Sequence, residues 1–237
     1  MSTTIDHTER LGDLVQRLPA AASVLERLGI DYCCGGGRTL AEAAGERGLD
    51  ASTVAVMLEA IAGAGGGGAA PVHEAPTGSL AELSRHIVSA HHEPLRAELP
   101  RIADLMATVV RVHGPEHPKL HEVRQVFASM SEELVEHMAR EERDLFPLAE
   151  ALDAGGPAAG ELDRELVALL EDDHDAAGAA LTTLRELCGG YRPEEAYCGT
   201  HRELLRSLQE MEHDLHRHVH EENNILFPHM RAGAGLR

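Results

Sequence analysis

The sequence has no tryptophan, and only three tyrosines and three phenylalanines in 237 residues. An alanine- and leucine-rich helical core needs none of them. Positive charge is also scarce: 21 Lys and Arg stand against 40 Asp and Glu, a formal net of −19. A nucleic-acid binder releases counterions from phosphate with a basic surface, so this balance excludes that class of partner. It disfavours docking on anionic lipid for the same reason. No run approaches the ~20 apolar residues of a membrane span, and the opening MSTTIDHTER has no apolar signal core. The expectation is a cytoplasmic protein with no membrane partner. Four cysteines are too few for a disulfide framework in a chain of this length. What the sequence does have is histidine, sixteen in all.

Most of them lie in one part of the chain. A glycine- and alanine-rich stretch over 62–70, followed by Pro71 and Pro76, reads as a flexible linker. The expected division is a small helical domain over 1–62, a linker over 63–78 and a larger domain over 79–232. Only His7 and His73 precede residue 79. The acidic excess is lopsided as well, with a net of −5 over 1–78 and −14 beyond. Apolar residues of the larger domain recur at three- and four-residue steps, which predicts helices near 79–112, 117–153, 158–188 and 194–231. Short glycine- and proline-containing breaks between long helices imply an all-α, up-down-up-down four-helix bundle. Pro94 and Pro100 fall inside the first segment and should bend or interrupt it. Shorter helices are expected at 11–17, 19–28, 38–47 and 51–62. Between the second and third lies a glycine-rich loop containing Asp31, Tyr32, Cys33, Cys34, Gly35 and Gly36.

The larger domain repeats itself. His137, Glu141, Leu145, Phe146 and Pro147 match His218, Glu222, Leu226, Phe227 and Pro228, both reading H-x3-E-x3-L-F-P, 81 residues apart. Upstream, His92 and His174 lie 45 and 44 residues before those histidines, and Leu99 and Leu181 follow them by seven. A step of four turns a helix by ~400°, so each histidine shares a face with its glutamate. A single H-x3-E on a helix is usually an exposed pair stabilising that helix by a few tenths of a kcal/mol. Two copies in register, each with an upstream histidine at matching distance, imply four imidazoles and two carboxylates converging inside a bundle. Carboxylates bridge cations and imidazoles supply neutral nitrogens, so the set suits a dinuclear centre of iron or manganese. A closed structural zinc site usually needs four ligands, often thiolate.

Other residues are candidates for supporting roles. Glu133 and Asp214 precede the repeated histidines by four residues and could accept from a ligand imidazole or carry protons. Asp173 and Asp175 flank His174. His91 competes with His92, and the repeat spacing selects His92. His216 and His220 sit about two residues off the ligand face, and their counterparts Val135 and Ala139 rule out a symmetric second site. The Leu-Phe-Pro tails read as packing and punctuation. A disulfide between Cys33 and Cys34 would close a strained ring, which suits redox or exchange chemistry. The glycines beside them admit a close approach by another backbone. Cys188 and Cys198 carry no pattern.

Together, these residues resemble the repair-of-iron-centres family, the di-iron proteins of iron–sulfur cluster repair, over nearly the whole chain. The resemblance is carried by Asp31 to Gly36, His92, His137-x3-Glu141, His174 and His218-x3-Glu222 with its Leu-Phe-Pro tail. It implies a hemerythrin-like bundle and a non-haem centre of two iron ions held by His92, His137, His174, His218 and bridging Glu141 and Glu222. It implies repair of clusters damaged by nitrosative or oxidative stress, with damaged iron–sulfur proteins as partners. Iron delivery and reduction of nitric oxide to nitrous oxide are both implied as mechanisms. It also suggests Cys33 and Cys34 as redox or relay groups. The alternative is a hemerythrin-like carrier or sensor of oxygen or nitric oxide. Oxygen carriers of that type have a further H-x3-H step on the third helix, and Gly178 stands at that place here.

Overall fold

The computed structural model describes residues 4–63, 78–155 and 164–233. Most of the expected linker, at 64–77, and the start of the third long segment lie outside them. The chain divides into two compact units. One holds the N-terminal residues together with His216–His229; the other is built on Gly78–Leu215. Among the described residues every regular element is helical, apart from one isolated bridge between Arg10 and Thr39.

In the first unit four short helices follow one another: α1 (Leu11–Arg17), α2 (Ala21–Arg27), α3 (Leu40–Glu46) and α4 (Ala51–Gly63). Thr39 starts α3 with a capping box: its hydroxyl accepts from the Glu42 N–H while the Glu42 carboxylate accepts from the Thr39 N–H. Leu11, Leu14, Leu25, Leu40 and Leu58 bring all four helices onto one apolar core.

In the second unit the predicted first segment is α5 (Leu80–Ile87), a π turn (Val88–His92) and α6 (Glu93–His113). The predicted second is α7 (Lys119–Arg140), a π turn (Glu141–Leu145) and α8 (Phe146–Asp153). Then come α9 (Arg164–Leu187) and α10 (Gly199–Glu221), whose residues from His216 onward belong to the first unit, as does a third π turn (Glu222–Leu226); α11 (Phe227–Gly233) follows. Ser79 caps α5 with the same box, using Glu82. Gly189 and Gly190 end α9 in left-handed conformation (φ 63° and 78°), which lets the Gly190 N–H reach back to the Arg185 carbonyl. Ile102, Met106, Phe127, Met130, Leu181, Leu184, Leu208 and Leu215 form one core from α6, α7, α9 and α10. This is the four-helix arrangement expected from the periodicity.

The three π turns have one cause. Each is followed two residues later by a proline: Pro94, Pro147 or Pro228. Proline has no N–H and its ring collides with the carbonyl four residues back, which here belongs to Ala90, Arg143 or Asn224 inside the π turn. One extra residue in the turn relieves that collision. The bond closing each turn spans five residues, from the N–H of Glu93, Phe146 and Phe227 to the carbonyls of Val88, Glu141 and Glu222. Pro100 behaves differently from the expectation. It lies on the exposed side of α6, which continues through it. Water can satisfy a carbonyl released on that side.

Candidate metal centre

The π turns carry three of the six predicted ligands. His92 is the last residue of the first, and Glu141 and Glu222 open the second and third. In the second unit four side chains converge. Glu141 and His92 are completely enclosed, and His137 and His174 are 4% and 3% exposed. Oε2 of Glu141 lies 3.4 Å from Nε2 of His92 and 3.4 Å from Nε2 of His137. Nε2 of His174 lies 3.1 Å from Nε2 of His137. The first π turn, α7 and α9 thus each bring an imidazole to one buried cluster around the Glu141 carboxylate.

The far side of two rings is held by acids. Nδ1 of His92 is 2.7 Å from Glu142, and Nδ1 of His137 is 3.2 Å from Asp173. An ionised carboxylate only accepts, so both rings carry their proton on Nδ1 and present an Nε2 lone pair inward. Arginines hold these acids in turn. Arg96 bridges to Glu142 at 2.8 Å, and Arg140 donates to Asp173 at 2.7 Å. Burial opposes ionisation of Glu142, yet the hydrogen bonds from Arg96 and His92 outweigh it and hold the carboxyl below its ordinary range. Phe146 stacks on the His92 ring with centroids 5.7 Å apart. Inward lone pairs, one enclosed carboxylate and fixed tautomers are what a soft-to-borderline divalent metal such as iron requires.

In the other unit His218 and Glu222 form a buried pair, Nε2 to Oε1 at 2.9 Å. Their helical step of four matches His137 and Glu141. His218 follows Met211 and Leu215 by seven and three residues, so it continues the face of α10 that supplies the bundle core.

The supporting residues differ from those chosen by spacing. Glu133 is exposed and accepts from the Ser129 hydroxyl at 3.1 Å. Asp214 pairs with Nδ1 of His91 at 3.1 Å. The acids behind His92 and His137 are Glu142 and Asp173. A rule of four-residue steps misses Glu142, because the π turn that begins at Glu141 shifts the register there. Asp173, a candidate for a supporting role beside His174, pairs with Nδ1 of His137. His216 and His220 meet the edge of Tyr32, at centroid distances of 6.3 and 5.6 Å.

The vicinal cysteines are both free thiols, Cys33 buried and Cys34 half-buried. Oδ1 of Asp31 accepts from the N–H groups of Cys33 and Cys34 and from the Cys33 thiol, at 3.0, 3.1 and 3.2 Å. One ligand atom each of Asp31, Cys33 and Cys34 lies within 4.8 Å of the others. The hydrogen bond with Cys34, burial and the nearby Asp31 push the Cys33 thiol well up, which keeps it protonated at neutral pH.

Comparison with known proteins covers both parts. A family described as "Hemerythrin HHE cation binding domain" matches residues 83–234. ScdA_N, described as "Domain of Unknown function (DUF542)", matches residues 7–62. The iron-sulfur cluster repair protein YtfE of Pectobacterium atrosepticum is 33% identical over 225 residues, 95% of this chain and 97% of the relative. The iron-sulfur cluster repair protein ScdA of Staphylococcus haemolyticus is 31% identical over 218 residues, 92% and 95% of the two chains. The YtfE protein of Escherichia coli O81 is 31% identical over 224 residues, 94% and 96%.

Proposed function

The chain belongs to the hemerythrin-type iron–sulfur cluster repair family, and from that premise we propose that it restores damaged iron–sulfur clusters with a centre of two iron ions. The proposed ligands are His92, His137, His174 and His218, with Glu141 and Glu222 as bridging carboxylates. The observation that carries this reading is the convergence of three inward Nε2 atoms on the enclosed Glu141 carboxylate. The matched step of His218 and Glu222 and the continuity of α10 with the bundle core support adding that pair. A bound iron pair supplies one-electron redox chemistry and open positions for a small ligand such as nitric oxide or oxygen.

The chain's own residues define what such a centre can do. Glu142 and Asp173 fix the tautomers of His92 and His137 and hold the two rings in place. Arg96 and Arg140 hold those acids in place. Phe146 covers one face of His92 against water. With four imidazoles and two carboxylates, the donor set is poorer in histidine than an oxygen carrier's, which favours labile iron or turnover over reversible oxygen storage.

The partners in this reading are damaged iron–sulfur proteins, and the mechanism is iron delivery, redox chemistry with nitric oxide, or both. Recovery of activity in a nitric-oxide-damaged iron–sulfur enzyme, on adding iron-loaded protein without free iron, tests it. The expected result is recovery that Glu141→Ala removes. Equal recovery with the variant would defeat the assignment. Nitrous oxide release by reduced protein alone would mark redox turnover, and iron appearing in the client would mark delivery.

A further inference from the structure

Asn224 is the third residue of the π turn that opens on Glu222. Its carboxamide enters the cysteine loop of the same compact unit. Nδ2 donates to the Cys33 carbonyl at 2.9 Å and lies 3.4 Å from the Tyr32 carbonyl. The Cys33 carbonyl belongs to the peptide that joins the two cysteines. The rest of the carboxamide fills space that two glycines leave. A Cβ at Gly36 would lie 2.1 Å from Oδ1 of Asn224, and one at Gly12 would lie 2.6 Å from it. The Gly12 N–H donates to the Gly36 carbonyl at 2.9 Å, so the two glycines form one walled socket.

These contacts explain a motif that the metal chemistry does not use. Gly36, the second glycine after the cysteine pair, is required where a side chain from the C-terminal repeat occupies the space of its Cβ. The first repeat has Arg143 at the place of Asn224, and Arg143 pairs with Asp144 at the surface. The repeat is therefore asymmetric at this residue, and its second copy carries the contact with the cysteine loop.

We propose that Asn224 is the positioning residue that couples the metal-bearing π turn to the Cys33–Cys34 loop. This rests on the reading of Glu222 as an iron ligand. Asn224 shares the turn with Glu222, whose carbonyl closes that turn with the Phe227 N–H. A shift of the Glu222 backbone on binding metal moves Asn224 with it. A group wedged between two backbones and hydrogen-bonded to a third passes such a shift on, because close-packed interiors do not absorb it. Occupancy of the centre is thereby read at the peptide that joins Cys33 to the half-buried Cys34.

The test uses full-length protein with and without ferrous iron under anaerobic conditions. The readouts are the alkylation rate of Cys34, located by mass spectrometry, and bound iron, measured in parallel. Loading should change the Cys34 rate of the wild type by about fivefold or more. Asn224→Ala and the near-isosteric Asn224→Asp, which lacks the amide donor, should bind iron and lose that change. Gly36→Ala should lower thermal stability far more in the wild-type background than beside Asn224→Gly. A wild-type-sized change in either iron-loaded Asn224 variant overturns the coupling and leaves the Glu222 reading intact. An equal effect of Gly36→Ala in both backgrounds overturns the socket. Failure of the wild type to bind iron removes the reading of Glu222, and the coupling with it.

Discussion

The proton positions of two imidazoles decide the chemistry of the centre. His92 and His137 present lone pairs inward because Glu142 and Asp173 accept from their outer nitrogens. Removing such an acceptor typically weakens metal affinity ~10- to 100-fold. Glu142→Ala and Asp173→Ala are expected to do so in competition with a chromophoric chelator, while Glu133→Ala changes nothing. His92 and His137 were legible because a repeat of two histidines and a glutamate is improbable without a shared task. Glu142 was not legible, because no period in the sequence encodes the extra residue that a π turn inserts. A second residue-scale expectation concerns pH. His201 sits in a ring stack with Tyr197, and burial together with the neighbouring His113 and His117 lowers its pKa. As pH falls below the unfolded value of about 6.5, the unfolded chain takes up this proton first. The stability tied to neutral His201 is present above that pH and is lost as pH falls toward the folded value. Denaturant unfolding between pH 5 and 7.5 should show a shallower slope for His201→Gln than for the wild type.

At the level of elements, three prolines account for three π turns, which hold three of the six proposed ligands, His92, Glu141 and Glu222. Pro147 forces the turn that begins at Glu141. In Pro147→Ala the regular hydrogen bond becomes available, and recovery of a plain α-helix would rotate the residues beyond the lost bulge by ~100°. Retained iron is expected to fall about tenfold or more, while helical content by circular dichroism stays unchanged. Pro100→Ala is the matching control, because α6 already passes through Pro100 without a π turn; its iron content should equal that of the wild type. The helices themselves were readable from periodicity and punctuation. The expected 79–112 became 80–113 with a π turn inside it, and the expected 117–153 became 119–153. Apolar spacing averages over a single inserted residue, so it finds a helix and misses its local pitch. The Leu-Phe-Pro tails read as packing and punctuation, and Phe146 packs on the ring of His92.

For the whole molecule, composition already separated a small N-terminal part from a histidine-rich, strongly acidic one. The families matched over 7–62 and 83–234 fall on either side of the glycine-rich stretch. The contacts that draw His216–His229 into the N-terminal unit were not legible. They depend on Tyr32 meeting His216 and His220 and on Asn224 entering the loop, and no pattern along the chain pairs residues so distant. The claim on which all else depends is that one chain holds a coupled pair of iron ions. Anaerobic loading followed by iron analysis and Mössbauer spectroscopy measures it directly. The account predicts about two irons per chain in a single exchange-coupled site, lost in Glu141→Ala/Glu222→Ala. One iron per chain, or two without coupling, would contradict it.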